Sequence, residues 1–321
     1  MKAQHGFVAL LTVALGVGCA GGRGVPARTA QAAPAPRSPQ TLQEGDFSIQ
    51  VGTLTREYRL HIPATIGSGA KASLVVVLHG GAGKPDTIAR ASRMDAVADA
   101  HGFLVAYPAG IRGRGPGGSW NGGDCCGVAM QQQVDDVGFI STLIDTLVRD
   151  RPVDPARVYV TGMSNGAIMT YRLACGIAGK IAAIAPVAGA LMDASCHPSR
   201  PVPVLIFHGT ADKEVKVDGG LNPRSQARRA FPPLSDTIQF WVRQDRCTGP
   251  GTVVAEKGDA RETSYGPCAA GTDVAVWRIE GGGHTWPGGN ESLPQFLVGK
   301  TTHDISASEE MWRFFEKYTV R

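Results

Sequence analysis

The sequence predicts an α/β fold: a mostly parallel, eight-stranded sheet flanked by helices, with no large cap domain. Three observations predict it. Short apolar runs alternate with helical patterns through most of the chain. One run, Leu74-Val75-Val76-Val77-Leu78, is apolar at every position, as a strand covered on both faces requires. Clusters of Gly, His and Asp recur just past the strand-like runs, where open α/β sheets build their sites.

Taken in order, Phe47 to Val51 and Glu57 to Ile62 alternate in polarity, the pattern of half-exposed antiparallel strands. Leu74 to Leu78 runs into His79-Gly80-Gly81-Ala82-Gly83. Asp86 to Ala100 reads as one helix stopped by Gly102, and Phe103 to Tyr107 as the next strand. Ala109 to Gln133 is a long Gly-rich loop holding Ser119-Trp120-Asn121 and the Cys125-Cys126 pair. Asp135 and Asp136 open a helix that runs to about Arg149, since carboxylates in a first turn favour that start. Val158 to Thr161 is a strand leading into Gly162-Met163-Ser164-Asn165-Gly166 and then a helical pattern to Cys175. Ile181 to Val187 and Val204 to Phe207 are strands, the second ending in His208-Gly209-Thr210-Ala211-Asp212. A basic loop spans Lys213 to Pro233, followed by a helix to Arg246 with Ser235 as its cap. Val274 to Ile279 is the last strand and ends in Gly281-Gly282-Gly283-His284, and Ser306 to Tyr318 is an amphipathic closing helix.

The chain has 321 residues and is 43% hydrophobic, and about 275 residues remain for one α/β domain once a leader and a linker are set aside. Met1 to Gly18 reads as an export signal: Lys2 supplies the positive start, and Phe7 to Val17 is apolar but too short to span a bilayer. Gly16-Val17-Gly18-Cys19 resembles a bacterial lipobox, which would attach the chain to a membrane through a lipid on Cys19; an ordinary cleaved secretory signal is the competing reading. Residues 19–44 are rich in Ala, Pro and Arg and read as a disordered linker, leaving residues 45–321 as the folded domain. The net charge of +4 is small, and no long run of Lys or Arg exists, so nucleic acid is not favoured as a partner. Setting Cys19 aside leaves six cysteines, an even number that suits disulfides in an exported protein. Adjacent Cα atoms about 3.8 Å apart lie below the usual disulfide range. Cys125 and Cys126 are therefore expected to reach two separate partners; the pairing expected here joins them to Cys175 and Cys196, and Cys247 to Cys268.

Strand, Gly-x-Ser-x-Gly and helix in succession form the context in which a serine becomes a nucleophile. The glycines leave room for a sharp turn that lifts Ser164 above the sheet edge, and the N–H of Asn165 at the helix start can face an oxyanion. Ser164, Asp212 and His284 then follow three strands in the order Ser, Asp, His of the α/β-hydrolase fold. The chemistry needs these types. A serine hydroxyl is a weak nucleophile, an imidazole must take its proton, and a carboxylate must hold that imidazole in the right tautomer. Asp218 and Asp304 compete for the role of acid, and His208, His303 and His79 for that of base. The loop after Leu78 is expected to give the second oxyanion donor, Gly81 first and Ala82 next, with His79 ordering the loop. Trp120 and Trp286 flank the expected site and could stack on an aromatic or sugar group of the substrate; packing of their own loops is the alternative. Asp135 and Asp136 are explained by the helix start. No metal-ligand spacing, phosphate loop or dinucleotide fingerprint is present, so neither metal nor cofactor is expected.

With these residues assembled the chain resembles a known family. The segments LVVVLHGGAG (74–83), SWNGGDCCG (119–127), VDDVGFI (134–140), VYVTGMSNGAIMTYRLAC (158–175), IAAIAPVAG (181–189), HGTAD (208–212) and GGGHTWPGG (281–289) are similar to those of the secreted polyhydroxybutyrate depolymerase and feruloyl esterase group, related to carbohydrate esterase family 1. The resemblance covers about residues 45–320. It implies an exported, cofactor-free serine esterase with Ser164 as nucleophile, Asp212 as acid and His284 as base. The implied partner is an ester: a feruloyl or acetyl ester on plant polysaccharide, or a hydroxyalkanoate ester. The cysteine pattern is similar too. The chain departs at NPRSQARRAFPP (222–233), where the family often has a shorter and less basic connection. No appended polymer-binding domain is read, and the sequence sets no oligomeric state. A catalytically silent cell-surface binding protein on a hydrolase scaffold is the alternative function; a peptidase of the same fold would want a cap or propeller domain.

Overall fold

The structure, a computed structural model, describes residues 43–320 apart from 68, 70, 116, 226 and 291–293. The export signal, the lipobox-like Cys19 and nearly all of the linker expected at 19–44 lie outside the described residues. Twelve strands form among the described residues: β1 (Gly45–Val51), β2 (Leu54–His61), β3 (Ala72–Leu78), β4 (Leu104–Pro108), β5 (Ile111–Arg112), β6 (Gly118–Ser119), β7 (Val153–Met163), β8 (Ala183–Val187), β9 (Val204–Gly209), β10 (Thr252–Lys257), β11 (Ala260–Ser264) and β12 (Val274–Ile279). Ten of them make one sheet in the order β1-β2-β4-β3-β7-β8-β9-β12-β11-β10. The six central strands, β4 to β12 in that order, are parallel, and antiparallel strands sit at both edges.

The expected sheet of eight strands is thus a sheet of ten, because the β10–β11 hairpin joins its far edge. Its residues carry no apolar alternation: Val253 and Val254 are exposed, and Thr, Ser, Ala and charged residues make up the rest, as suits an outer strand. In the centre the apolar run behaves as its composition demands. Leu74, Val76 and Leu78 join the core on one face and Val75 and Val77 the core on the other, all fully buried.

The helices are α1 (Pro85–Ser92), α2 (Met94–His101), α3 (Gly127–Gln131), α4 (Asp136–Asp150), α5 (Asn165–Gly176), α6 (Leu234–Gln244), α7 (Gln295–Val298) and α8 (Ala307–Phe315). Helices α4, α5 and α6 cover one face through Phe139, Leu143, Leu173 and Trp241. Helices α1, α2 and α8 cover the other through Ile88, Val97, Met311 and Phe315. The single helix expected over 86–100 is broken at Arg93, which is left-handed at φ 56°. The break is compensated from far away in sequence: Asn290 N–H donates to the Ala91 carbonyl at 3.0 Å and Ser308 Oγ to the Ser92 carbonyl at 2.7 Å. Gly102 ends α2 in the left-handed conformation, as expected. Helix α6 starts behind Pro233, so Ser235 is not its cap.

The cysteines pair as expected at Cys247–Cys268 and differently at the other four. Cys175 bonds Cys196 and Cys247 bonds Cys268, while Cys125 and Cys126 bond each other. The expectation assumed a trans peptide between the neighbours; theirs is cis, which draws their Cα atoms to 3.1 Å.

Candidate active site

Ser164 sits at the point where the central strand β7 becomes α5. Its φ of 57° and ψ of −120° are unusual for a residue with a Cβ, a conformation that costs about 1–3 kcal/mol and survives only where the surroundings impose it. The flanking glycines are steric requirements. A Cβ on Gly162 would lie 2.7 Å from the carbonyl carbon of Gly166 and 2.8 Å from Leu78 Cβ. A Cβ on Gly166 would collide with the carbonyl oxygens of Leu78 and His79. The Gly-x-Ser-x-Gly spacing is therefore what allows α5 to leave β7 pressed against the end of β3.

Asp212 lies just past β9 and His284 just past β12, neighbouring parallel strands, so the sheet itself sets them side by side. His284 Nδ1 is 2.7 Å from Asp212 Oδ2. The other carboxylate oxygen, Oδ1, accepts the backbone N–H groups of Glu214 at 2.8 Å and Val215 at 2.9 Å. Burial pushes the Asp212 carboxyl up, but the charge and hydrogen bond of His284, with His208 and the Val215 N–H, outweigh it and leave the group below the usual carboxylate range. Asp218, His303 and Asp304 are exposed. His208 is buried with Nε2 2.7 Å from the Val215 carbonyl, and burial lowers its pKa. Its place is structural.

The loop after β3 is held by two groups. His79 Nδ1 donates to the Gly80 carbonyl at 2.7 Å and Nε2 accepts the Gly110 N–H at 2.9 Å, a pairing only the neutral ring can make. Burial lowers its pKa to about 4, with the nearby Arg56 charge adding to the effect against the Gly80 hydrogen bond. The sign follows. The unfolded chain takes up this proton near pH 6.5 and the folded one only near 4, so stability present above pH 6.5 is lost as pH falls between those values. For His79→Gln we expect a shallower fall in melting temperature from pH 6.5 to 4 than for the parent chain; parallel curves would contradict it.

The second group is Asn165, whose side chain the sequence reading overlooked. Its Oδ1 accepts the Trp120 N–H at 2.7 Å and its Nδ2 donates to the Trp120 carbonyl at 2.9 Å. The Trp120 ring is fully buried, with Nε1 donating to the His79 carbonyl at 2.9 Å. This overturns the expectation that Trp120 stacks on substrate: it props the oxyanion-side loop from below. Trp286 is also buried, its Nε1 donating to Ser308 Oγ at 3.1 Å, yet it does reach the cavity wall.

Beneath Trp120 lies a buried ion pair. Arg56 Nη2 is 2.8 Å from Asp136 Oδ1, its guanidinium lies 3.9 Å from the Phe139 ring centre, and Asp136 Oδ2 accepts the Asn121 N–H at 2.8 Å. Asp135 alone caps α4, accepting from Gly138 N–H at 2.8 Å, so helix-start duty does not account for Asp136. Burial drives the Asp136 carboxyl above its usual range even against the pull of Arg56. Removing one member of such a pair strands the other, at about 3–5 kcal/mol. Arg56→Met should lower the melting temperature by on the order of 10 °C. Adding Asp136→Asn, which keeps the acceptor for Asn121, should restore much of that, and a further loss in the double variant would refute the argument.

Ser164, His284, Gly81 and Ala82 line two cavities that meet at the serine. One, of about 280 Å³, is walled by Thr87, Ile88, Ala91, Met163, Trp286 and Val298 among others. The other, of about 390 Å³, is bounded by Ser119, Cys126, Glu214, Asn222, Ser225 and Phe231 among others. Asn165 lines the second and begins α5, so its N–H is one of the orphan donors of a helix start. Among the described residues no group of three or more His, Cys, Asp or Glu side chains is placed to hold a metal ion. No helix among them is long and apolar enough to cross a membrane.

A parallel sheet with a serine on a sharp strand-to-helix turn and an acid–imidazole pair at two later strand ends defines the class: an α/β-hydrolase. Residues 56–227 match the family model described as esterase PHB depolymerase, and the chain belongs to that family. The protein NocK of Nocardia uniformis subsp. tsuyamanensis, named for an esterase, is 29% identical over 94% of this chain and 95% of its own. Feruloyl esterase B of Piromyces equi is 33% identical over 57% of this chain but only 34% of its own length, so the chain spans about a third of that relative. Poly(3-hydroxyalkanoate) depolymerase C of Paucimonas lemoignei is 33% identical over 46% of this chain and 34% of its own. Among solved structures, the acetyl xylan esterase from Aspergillus awamori superposes with a TM-score of 0.56 at 16% identity over 75% of this chain and 94% of that one, a likeness of fold.

Proposed function

We propose that the protein is an exported serine esterase working through an acyl-enzyme, with Ser164 as nucleophile, His284 as base and Asp212 as its orienting acid. The observation that carries this reading is the 2.7 Å contact of His284 Nδ1 with Asp212 Oδ2, in a site where His284 and the left-handed Ser164 line the same cavities. In it, His284 takes the serine proton as the hydroxyl oxygen attacks the ester carbonyl. The N–H groups of Asn165 and Gly81 receive the oxyanion, His284 returns the proton to the departing alcohol, and water clears the acyl group by the reverse steps. Substrates are feruloyl or acetyl esters of plant polysaccharide, or hydroxyalkanoate esters; the names of the relatives support both kinds. Export rests on the leader-like Met1 to Gly18, with lipid attachment at Cys19 as its membrane-bound form.

The test is hydrolysis of methyl ferulate, p-nitrophenyl acetate, p-nitrophenyl butyrate and hydroxybutyrate oligomers by the purified chain, with labelling by a fluorophosphonate. Turnover of at least one ester with a label on Ser164 is the expected result. A chain that neither turns over nor labels would be the silent binding protein instead.

A further inference from the structure

The cavity of about 280 Å³ at Ser164 is apolar by construction. Ile88, Ala91, Met163 and Val298 stand in its wall, and the side-chain donors beside them are spent on the protein itself. Thr87 Oγ1 donates to the Lys84 carbonyl at 2.7 Å and accepts the Lys84 N–H at 2.9 Å. Thr285 Oγ1 donates to the Lys300 carbonyl at 3.3 Å, Trp286 Nε1 to Ser308 Oγ at 3.1 Å, and Asn290 Nδ2 to the Arg90 carbonyl at 2.8 Å. The wall also has a direction. Helix α1 begins just after the Gly80 to Gly83 loop, where an oxyanion donor is expected, and leads away from it. Thr87, Ile88 and Ala91 share one face of that helix, and all three line the cavity. Ala91 stands about 6 Å further along the axis than Thr87. There the face ends. Helix α1 stops at Ser92, Arg93 turns left-handed, and Asn290 N–H holds the Ala91 carbonyl at 3.0 Å. A Cβ on Gly289 would collide with that carbonyl oxygen and lie 3.1 Å from Trp286 Cδ1, so Ala91 and Trp286 close on the same glycine and make one wall.

Resting on the esterase reading above, we propose that Ala91 is a specificity-determining residue that sets the length of the acyl group: a short aliphatic chain lies along α1 with its tail against Ala91 and Trp286. The volume supports a short group, since it falls below the roughly 300–1,000 Å³ of sites for drug-sized ligands. The break at Arg93 then has a use. A helix end free to move would yield to a longer chain, whereas Asn290 and Ser308 fix this one by the carbonyls of Ala91 and Ser92. A wall that does not yield discriminates by length, and one methylene too many in an apolar pocket costs about tenfold or more.

The experiment uses p-nitrophenyl acetate, butyrate, hexanoate, octanoate and decanoate, which share one leaving group and differ only in acyl length. For the full chain kcat/KM should rise to butyrate or hexanoate and fall by about tenfold or more at decanoate. In Ala91→Leu the ratio of hexanoate to acetate should fall about tenfold, chiefly through KM of the hexanoate. Ala91→Gly, which removes the methyl group from the wall, should raise the ratio of decanoate to hexanoate; it decides the matter if circular dichroism shows the leucine variant unfolded. Ethyl, butyl and hexyl acetate form the mirror series, in which only the alcohol grows, and their profile should keep its shape in both variants. Unmoved acyl ratios in the folded variants, a shift in the alcohol series in place of the acyl series, or a parent chain with no length limit overturns the proposal and leaves the esterase reading standing. A parent that turns over none of these esters overturns both.

Discussion

Ser164→Ala is expected to lower kcat by about 10³-fold or more on every ester the parent chain turns over, with no change in melting temperature beyond about 2 °C. In the proposed mechanism the Ser164 hydroxyl forms the acyl bond and gives its proton to His284. The fold does not depend on it. The left-handed backbone at residue 164 is imposed by the close packing of Gly162 and Gly166 against the end of β3, and alanine carries the same Cβ into that conformation as serine does. The residual rate belongs to the oxyanion donors and to binding, which the substitution leaves in place. Turnover within tenfold of the parent, measured on p-nitrophenyl butyrate alongside circular dichroism, would remove Ser164 from the mechanism.

The Ser, Asp and His of the site were legible because each stands at a strand end, and strand ends are where local pattern is strongest. Residues 158–166 show an apolar strand, a turn that only glycine permits, and a helix start in nine positions. What escaped the sequence was long-range. Trp120 stands in a Gly-rich loop, and nothing local says that Asn165, 45 residues on, clamps its backbone and buries its ring. Arg56 and Asp136 are 80 residues apart; Asp136 has a ready local explanation as a helix-start acid, and Arg56 lies just before the expected strand Glu57 to Ile62. Arg93 interrupts a good helical pattern only because Asn290 and Ser308 take the carbonyls that the break releases. The β10–β11 hairpin escaped for the opposite reason. Its outer strand is almost wholly exposed and its inner one mostly half-buried, so it has no apolar period to read.

Asp212→Asn is the second substitution expected to have a large effect, on the order of 10⁴ in kcat. The two oxygens of Asp212 have different duties, and an amide cannot perform both. Oδ1 accepts the N–H groups of Glu214 and Val215, so the Asn carbonyl oxygen must occupy that position. The NH₂ group is then turned toward His284 Nδ1, where Oδ2 stood. Two donors cannot face each other, so the imidazole shifts its proton to Nε2 and presents an N–H, not a lone pair, toward the serine. The backbone hydrogen bonds survive, so the variant should fold. Its stability should lie below the parent's above about pH 4 and approach it in acid: the carboxyl held below its usual range contributes stability above about pH 4 that is lost as pH falls through the folded value, and the amide contributes none of it. Kinetics on p-nitrophenyl butyrate from pH 5 to 9, with melting curves from pH 2 to 7, test both halves of this expectation. A loss of less than tenfold in kcat would mean that Asp212 does not set the tautomer of His284, and the role of acid would have to pass to another residue.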